Sequence, residues 1–304
     1  MTLLGLTSAC GDDSDPSERG IQPGKALGNE QRPAGVAHCY TELSSNHAAT
    51  RAFWVTFRSG DLTGRRAAIA ALSRAGQEHP QEEEFALLNG LANLWRVVEP
   101  LPEEVEDNES FIQAALLART ELERAYELCP TDHRLPAWLG PILVNMGRAM
   151  SSDDVVQQGL AVLDRGMAHY PGFVSFSKLL VFADRPRDSA EYQGALQTVR
   201  DNIATCSPRD PACSNHAHAA HNAEGAAIFY GDALAKGGDR DAALDAYGIA
   251  REARSHRDWN YKGLLDDRLA TLEARITAFG TSDTGDDPES AWQSNYQCSI
   301  CHAQ

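Results

Sequence analysis

The sequence lacks any apolar run of the roughly 18 to 20 residues that a membrane-spanning helix requires, so none is predicted. It also lacks the glycine-rich phosphate loop, the Gly-x-Ser-x-Gly elbow and the His-Glu-x-x-His motif of common enzymes. Nucleotide chemistry and hydrolysis therefore have no support in the sequence. We expect an electron carrier or a binding scaffold rather than an enzyme.

Basic residues are scarce. The 304 residues include 27 Lys and Arg against 43 Asp and Glu, a net charge of −16. This charge argues against a nucleic acid or an anionic lipid surface as partner, because both would repel the chain. A basic protein partner fits better. The 42% apolar content is enough for a hydrophobic core, which excludes a wholly disordered chain.

The C-terminus contains the sequence Cys298-Ser-Ile-Cys301-His302. Cys-x-x-Cys-His is the attachment pattern of c-type haem: two thiols add to the haem vinyl groups, and the adjacent imidazole becomes the proximal iron ligand. A redox disulfide, half of a zinc site and a chance pair of cysteines are the alternatives. A redox disulfide would be expected beside a βαβ pattern, which the sequence lacks. A zinc site would need a second Cys-x-x-Cys, which is also absent from the sequence.

The N-terminus resembles a bacterial lipoprotein signal, because an apolar stretch and small residues precede Cys10. The resemblance implies that residues 1–10 are a partial signal and that Cys10 carries lipid. Residues 11–33 are rich in Gly, Pro, Asp and Ser and are predicted to form a disordered tether. A chance cysteine in a disordered start is the alternative. The expected location is the bacterial cell envelope, with the lipid anchor as the sole membrane contact.

Residues 34–280 are rich in Ala, Leu, Arg and Glu with apolar residues at helical spacing. A pattern of small, large, small and proline recurs at offsets of four, three and five. Small residues let a partner helix approach closely, and proline ends the helix. The four occurrences are Ala68-Leu72-Ala75-Pro80, Ala118-Leu122-Ala125-Pro130, Gly159-Leu163-Gly166-Pro171, and Ala243-Tyr247-Ala250 with Ser255 in place of proline.

This pattern resembles the tetratricopeptide repeat, a helix-turn-helix unit. In the best unit, Tyr230-Gly231, Leu234 and Gly238-Asp239 match the first helix and the turn. The resemblance implies an all-α, irregular α-solenoid over residues 34–280 with a concave surface for protein partners. The acidic stretch 99–107 and the loop at 151–154 are interpreted as insertions.

A cluster of histidine and cysteine interrupts this pattern. If a helix begins near Ser214, His218 and His221 share one face and Glu224 lies one turn further. One histidine could be the distal ligand of the haem, with His221 preferred over His218. Alternatively, the cluster binds a second metal ion, or its histidines merely decorate an exposed helix start. The candidate metal ligands are His216, His218, His221 and Glu224.

Four cysteines are left for disulfides in an oxidising compartment: Cys206 with Cys213, and Cys39 with Cys129. The tryptophans at 54, 95, 138 and 259 are predicted to lie in the core. Residues 281–304 form a short haem-binding tail. The predicted function is that of an exported c-type haem protein that docks redox or envelope proteins for one-electron transfer. A non-enzymatic scaffold with a Cys-x-x-Cys disulfide or metal clip is the main alternative, and a haem peroxidase is a weaker third.

Overall fold

The computed structural model describes residues 39–102, 108–205, 219–281 and 283–303, and all regular structure within these ranges is helical. The prediction of an all-α fold is confirmed. The predicted signal 1–10 and tether 11–33 lie outside the described residues. The described helices are α1 (Glu42–Ser45), α2 (Ala48–Arg58), α3 (Arg65–Glu78), α4 (Glu83–Val98), α5 (Asn108–Leu128), α6 (Leu135–Ala149), α7 (Asp153–His169), α8 (Pro171–Val181), α9 (Ala190–Thr205), α10 (Asn222–Lys236), α11 (Arg240–Glu252), α12 (Lys262–Ala278) and α13 (Ser299–His302). Within the described ranges, three short 3₁₀ helices span Arg254–Asp258, Thr284–Asp286 and Ala291–Gln293.

Three pairs of consecutive helices pack tightly: α4 with α5, α6 with α7, and α10 with α11. In each pair a glycine of the first helix faces the large residue of the small-large-small pattern on the second. A Cβ atom built on any of these glycines would lie 2.2 to 2.7 Å from that side chain, so only glycine permits the close approach. The facing pairs are Gly90 with Leu122, Gly140 with Leu163, and Gly231 with Tyr247.

The prolines of the repeated pattern stand where helices end. Helix α3 ends at Glu78, two residues before Pro80, and α5 ends at Leu128, two residues before Pro130. His79, which precedes Pro80, has φ −129° and ψ 67°, outside the helical region. The cause is local, because the ring of a proline disfavours helical geometry in the residue before it.

The C-terminal residues 283–303 pack into the main core instead of projecting from it. Ala291 and Ile300 are fully buried in the same apolar cluster as Trp259 and Tyr247. No helix in the described ranges is both long and apolar enough to cross a membrane. The C-terminal segment is therefore held by the helical body, and its surroundings decide what its cysteines can do.

A buried group of acids lies beside the N-terminal helices. Glu83 is 1% exposed, and neither of its carboxylate oxygens has a hydrogen-bond partner among the described residues. Burial, followed by the negative charge of Asp132, raises the pKa of Glu83 to about 9, although Arg134 opposes the shift. Glu83 is therefore protonated in the folded protein at neutral pH.

We expect this proton to make stability depend on pH. Between pH 4.5 and about 9 the folded state holds a proton on Glu83 that the unfolded chain releases, so stability falls as pH rises through this window. The fall is about 1.4 kcal/mol per pH unit at most. Glu83→Gln should therefore make the free energy of unfolding depend less on pH, and the accumulated difference from the wild type should be largest at pH 8 to 9. Urea unfolding from pH 4 to 9 measures this, and the exposed Glu78→Gln serves as control; a wild-type slope in Glu83→Gln would contradict it.

Candidate functional site

The Cys-x-x-Cys-His segment lies between the first and the last helices of the chain. Cys298 is the N-cap of α13, which contacts α2 on one side and α10 on the other. The segment thus joins parts of the chain that are far apart in sequence. Cys298, Cys301 and His302 are each partly buried.

The side chain of Glu99 binds the start of α13. Its Oε1 accepts hydrogen bonds from the backbone N–H of Cys298 at 2.6 Å and of Ser299 at 2.8 Å. Its Oε2 accepts from the Ser299 hydroxyl at 2.7 Å and from the Trp95 indole at 2.6 Å. A carboxylate at a helix start satisfies N–H groups that have no partner within the helix. Glu99 is fully buried, and these four donors replace the water that its carboxylate lacks.

Arg65 holds Glu99 in place from the other side. The Arg65 guanidinium donates to the backbone carbonyl oxygens of Glu99 at 2.7 Å and of Trp95 at 3.1 Å. It also lies 5.2 Å from the centre of the Trp95 ring, within range of a cation–π interaction. Arg65 therefore holds the end of α4, to which the C-terminal segment binds.

The last helices bind the other end of the segment. The Trp259 indole N–H donates to the carbonyl oxygen of Ile300 at 2.8 Å. The backbone N–H of His221 donates to the carbonyl oxygen of Cys301, also at 2.8 Å. A Cβ atom on Gly225 would lie only 2.2 Å from the Cys301 sulfur. Glycine at this position thus opens the notch in α10 that the Cys301 thiol fills.

Two buried charged groups fix the chain before it reaches α13. Asp232 accepts a hydrogen bond from the Ala291 N–H at 2.8 Å, and Lys236 pairs with Asp287 at 2.5 Å. Both Asp232 and Lys236 belong to α10 and are almost wholly buried. A buried charge without a partner is strongly destabilising. These two contacts therefore hold residues 283–303 in one position against α10.

Two thiols followed by an imidazole, from Cys298, Cys301 and His302, are the groups that a c-type haem requires. The way these side chains are packed leaves no place for the haem. The Cys301 sulfur fills the Gly225 notch, and the His302 ring lies 4.7 Å from the Phe57 ring, centre to centre. Burial, followed by the Glu99 carboxylate and the Cys301 thiol, raises the pKa of the Cys298 thiol well above its usual value. A porphyrin bonded to both sulfur atoms would have to replace these contacts. The segment as seated does not fit a haem.

The histidine cluster is only partly described. Helix α10 begins at Asn222 with His221 as its N-cap, and the start near Ser214 that was considered from the sequence lies outside the described residues. His221 and Glu224 are buried with Nδ1 and Oε1 3.5 Å apart, and neither side chain has a hydrogen-bond partner within the described ranges. His216 and His218 lie outside those ranges. No group of three or more potential metal ligands occurs among the residues that are described.

The cysteines differ in their state. Cys39 and Cys129 form a disulfide, the pairing named from the sequence, with Cα atoms 5.7 Å apart. Cys298 and Cys301 form no disulfide. Cys10, Cys206 and Cys213 lie outside the described residues, so their predicted lipidation and disulfide stay predictions.

Sequence reasoning missed the residues that hold the C-terminal segment. Glu99 was interpreted as the start of an acidic insertion, and Trp259 as plain core. Trp259 is indeed fully buried, but its indole N–H also binds the segment. A buried indole N–H needs a hydrogen-bond acceptor, so the sequence could have indicated that Trp259 makes such a bond. Nothing in the sequence near Trp259 identifies Ile300 as the acceptor.

Comparison with known proteins assigns no family. No protein-family model, no curated protein and no solved structure gives a significant match to this chain. Function is therefore argued from the residues and their contacts.

Proposed function

We propose that this chain is an exported, non-enzymatic helical scaffold of an envelope complex, and that residues 298–302 are a clip that closes it. One observation carries the proposal: the Glu99 carboxylate binds Cys298 and Ser299, which follow it by 199 and 200 residues. The clip thereby joins α2 and α4 to α10 and to Trp259, which precedes α12. A closed helical array presents a fixed surface to its partners, which is what a scaffold requires.

Two features support export and a scaffold role. The Cys39–Cys129 disulfide is typical of oxidising compartments, in agreement with the lipoprotein-like sequence before Cys10. The three glycine-faced helix pairs support the resemblance to tetratricopeptide repeats, whose arrays bind proteins. Alkylation or oxidation of Cys298 or Cys301, which form no disulfide, would disturb the clip, because the added group would have to be accommodated beside Gly225 and Glu99.

A c-type haem protein for electron transfer is the second candidate. The order of two thiols and an imidazole favours it, since haem attachment needs these groups at this spacing. Haem attachment would require residues 298–302 to leave the seat formed by Glu99, Gly225 and Phe57. The two candidates therefore make opposite predictions about the state of the thiols.

The clip predicts slow thiol chemistry in the folded protein. Trp259→Phe removes the hydrogen bond to Ile300, and Ser299→Ala removes one of those to Glu99. Each loss of roughly 1 kcal/mol should raise the population of the unseated segment about fivefold, and with it the rate at which iodoacetamide alkylates Cys298 and Cys301. Mass spectrometry of each cysteine measures the rates, and Trp138→Phe on α6 is the matched control. Wild-type rates in both variants would contradict the clip.

A test for covalently attached haem distinguishes the scaffold from the electron-transfer protein. The wild-type protein, produced with c-type haem maturation machinery, is denatured and its visible spectrum recorded. We expect no haem absorbance and two alkylatable thiols at Cys298 and Cys301. A Soret band that survives denaturation, and that is lost in Cys298→Ala with Cys301→Ala, would replace the clip by the electron-transfer function.

A further inference from the structure

Helix α5 exposes an apolar and acidic face that no described part of the chain covers. Phe111, Ile112, Leu116 and Leu117 are each between 41% and 56% exposed. Single exposed apolar residues are ordinary, but four within seven residues form a patch of the kind that marks interaction sites. Ile112 and Leu116 are four residues apart, so they lie on the same side of α5.

The same side of α5 becomes acidic further along. Glu123 follows Leu116 by seven residues and Glu127 by eleven, spacings that keep all three on one face. We call Ile112, Leu116, Glu123 and Glu127 the α5 face. Over its fifteen residue steps this face is about 22 Å long. Glu123 pairs with Arg119 at 2.9 Å, whereas Glu127 has no cationic partner among the described residues.

The acidic end of the α5 face opens into a groove. This groove of about 240 Å³ lies between α5 and α7, with α6 beneath it. Leu139, Leu143 and Val162 contribute apolar lining, and all three are buried. Glu123 and Glu127 stand on one wall, and Arg165 on the other. An apolar floor with carboxylates along one rim suits a long side chain that ends in a cation, since its stem is covered while its charge is paired.

Charge favours a basic occupant. Residues 99–128 contain nine Asp and Glu against two Arg, and both arginines already pair with glutamates of α5. A second copy of this chain would bring the same acidic helix and a net charge of −16, so repulsion disfavours it. A partner with Leu-like residues at i and i+4 and with Lys or Arg beyond them would match both parts of the face.

We propose that the α5 face and its groove bind a basic amphipathic helix of a partner protein. The inference rests on the scaffold function and names the class of its partner. Ile112 and Leu116 take the apolar residues of the bound helix. Glu123 and Glu127 take its lysines or arginines, and Arg165 favours a carboxylate or a carbonyl oxygen on the opposite side.

The probe is a fluorescein-labelled helical peptide of Leu, Lys and Ala, about 16 residues long to match the face. Its counterpart carries Glu in place of Lys. We expect the Lys peptide to bind the full chain, more weakly as salt is added, and the Glu peptide not to bind. The double variants Ile112→Ser with Leu116→Ser, and Glu123→Gln with Glu127→Gln, should each weaken binding about tenfold or more by anisotropy titration.

Matched controls separate this site from general attraction to an acidic protein. Val55→Ser removes an exposed apolar residue from α2, and Asp245→Asn with Glu252→Gln removes two exposed charges from α11; both should leave the affinity unchanged. Equal weakening in the controls, or binding of the Glu peptide, would overturn the proposal. So would a dimer in sedimentation that Ile112→Ser with Leu116→Ser abolishes. The peptide assay does not involve residues 298–302. A negative result would therefore contradict the binding site on α5 without contradicting the clip.

Discussion

Replacing both Cys39 and Cys129 with alanine is expected to lower the free energy of unfolding by about 2 to 5 kcal/mol. The bond spans 90 residues and links the chain before α1 to the end of α5. Closing so long a loop removes many conformations from the unfolded chain, which is the main source of the stabilisation. Urea denaturation of the two proteins without reductant measures the difference.

Cys298→Ala with Cys301→Ala is the control for this experiment, because it removes two cysteines that form no disulfide. Reductant should destabilise this control as much as it destabilises the wild type. In the Cys39→Ala and Cys129→Ala protein, reductant should have less effect than in the wild type. A double variant as stable as the wild type, with free thiols at 39 and 129 in the unmodified protein, would show that the bond is absent.

The helices were predictable because their signals are local. The small-large-small pattern and the prolines that follow it depend on contacts within one helix pair, such as Gly90 with Leu122. The seat of the C-terminal segment was not predictable in the same way. The carboxylate that caps α13 is Glu99, about 200 residues earlier, and no spacing rule connects the two.

The start of α10 shows a contact between residues that are distant in sequence. From the sequence we considered a helix that begins near Ser214, which would place His218 and His221 on one face. In the structure the backbone N–H of His221, the N-cap of α10, donates to the carbonyl oxygen of Cys301 at 2.8 Å. The helix begins at Asn222, and His221 with Glu224 turns inward as a buried pair.

Asp232→Asn is expected to cost about 3 to 5 kcal/mol of unfolding free energy and to loosen the C-terminal segment. The Asp232 carboxylate is fully buried and accepts hydrogen bonds from the Tyr247 hydroxyl at 2.6 Å, Arg268 at 3.0 Å and the Ala291 N–H at 2.8 Å. Arg275 lies 3.5 Å away. Removing this charge leaves Arg275 without an acidic partner among the described residues and Arg268 with the exposed Asp267 alone, which costs more than the lost hydrogen bonds.

The exposed pair of Arg148 with Asp184 gives the control. Its atoms are 3.4 Å apart and the aspartate side chain is 60% exposed, so Asp184→Asn should cost less than about 1 kcal/mol. Urea denaturation compares the two variants. Alkylation of Cys298 should also accelerate in Asp232→Asn but not in Asp184→Asn, because only Asp232 holds the chain that leads to the clip. Equal losses in the two variants, with unchanged thiol rates, would mean that Asp232 does not anchor the segment, and that the clip depends on Glu99 and Trp259 alone.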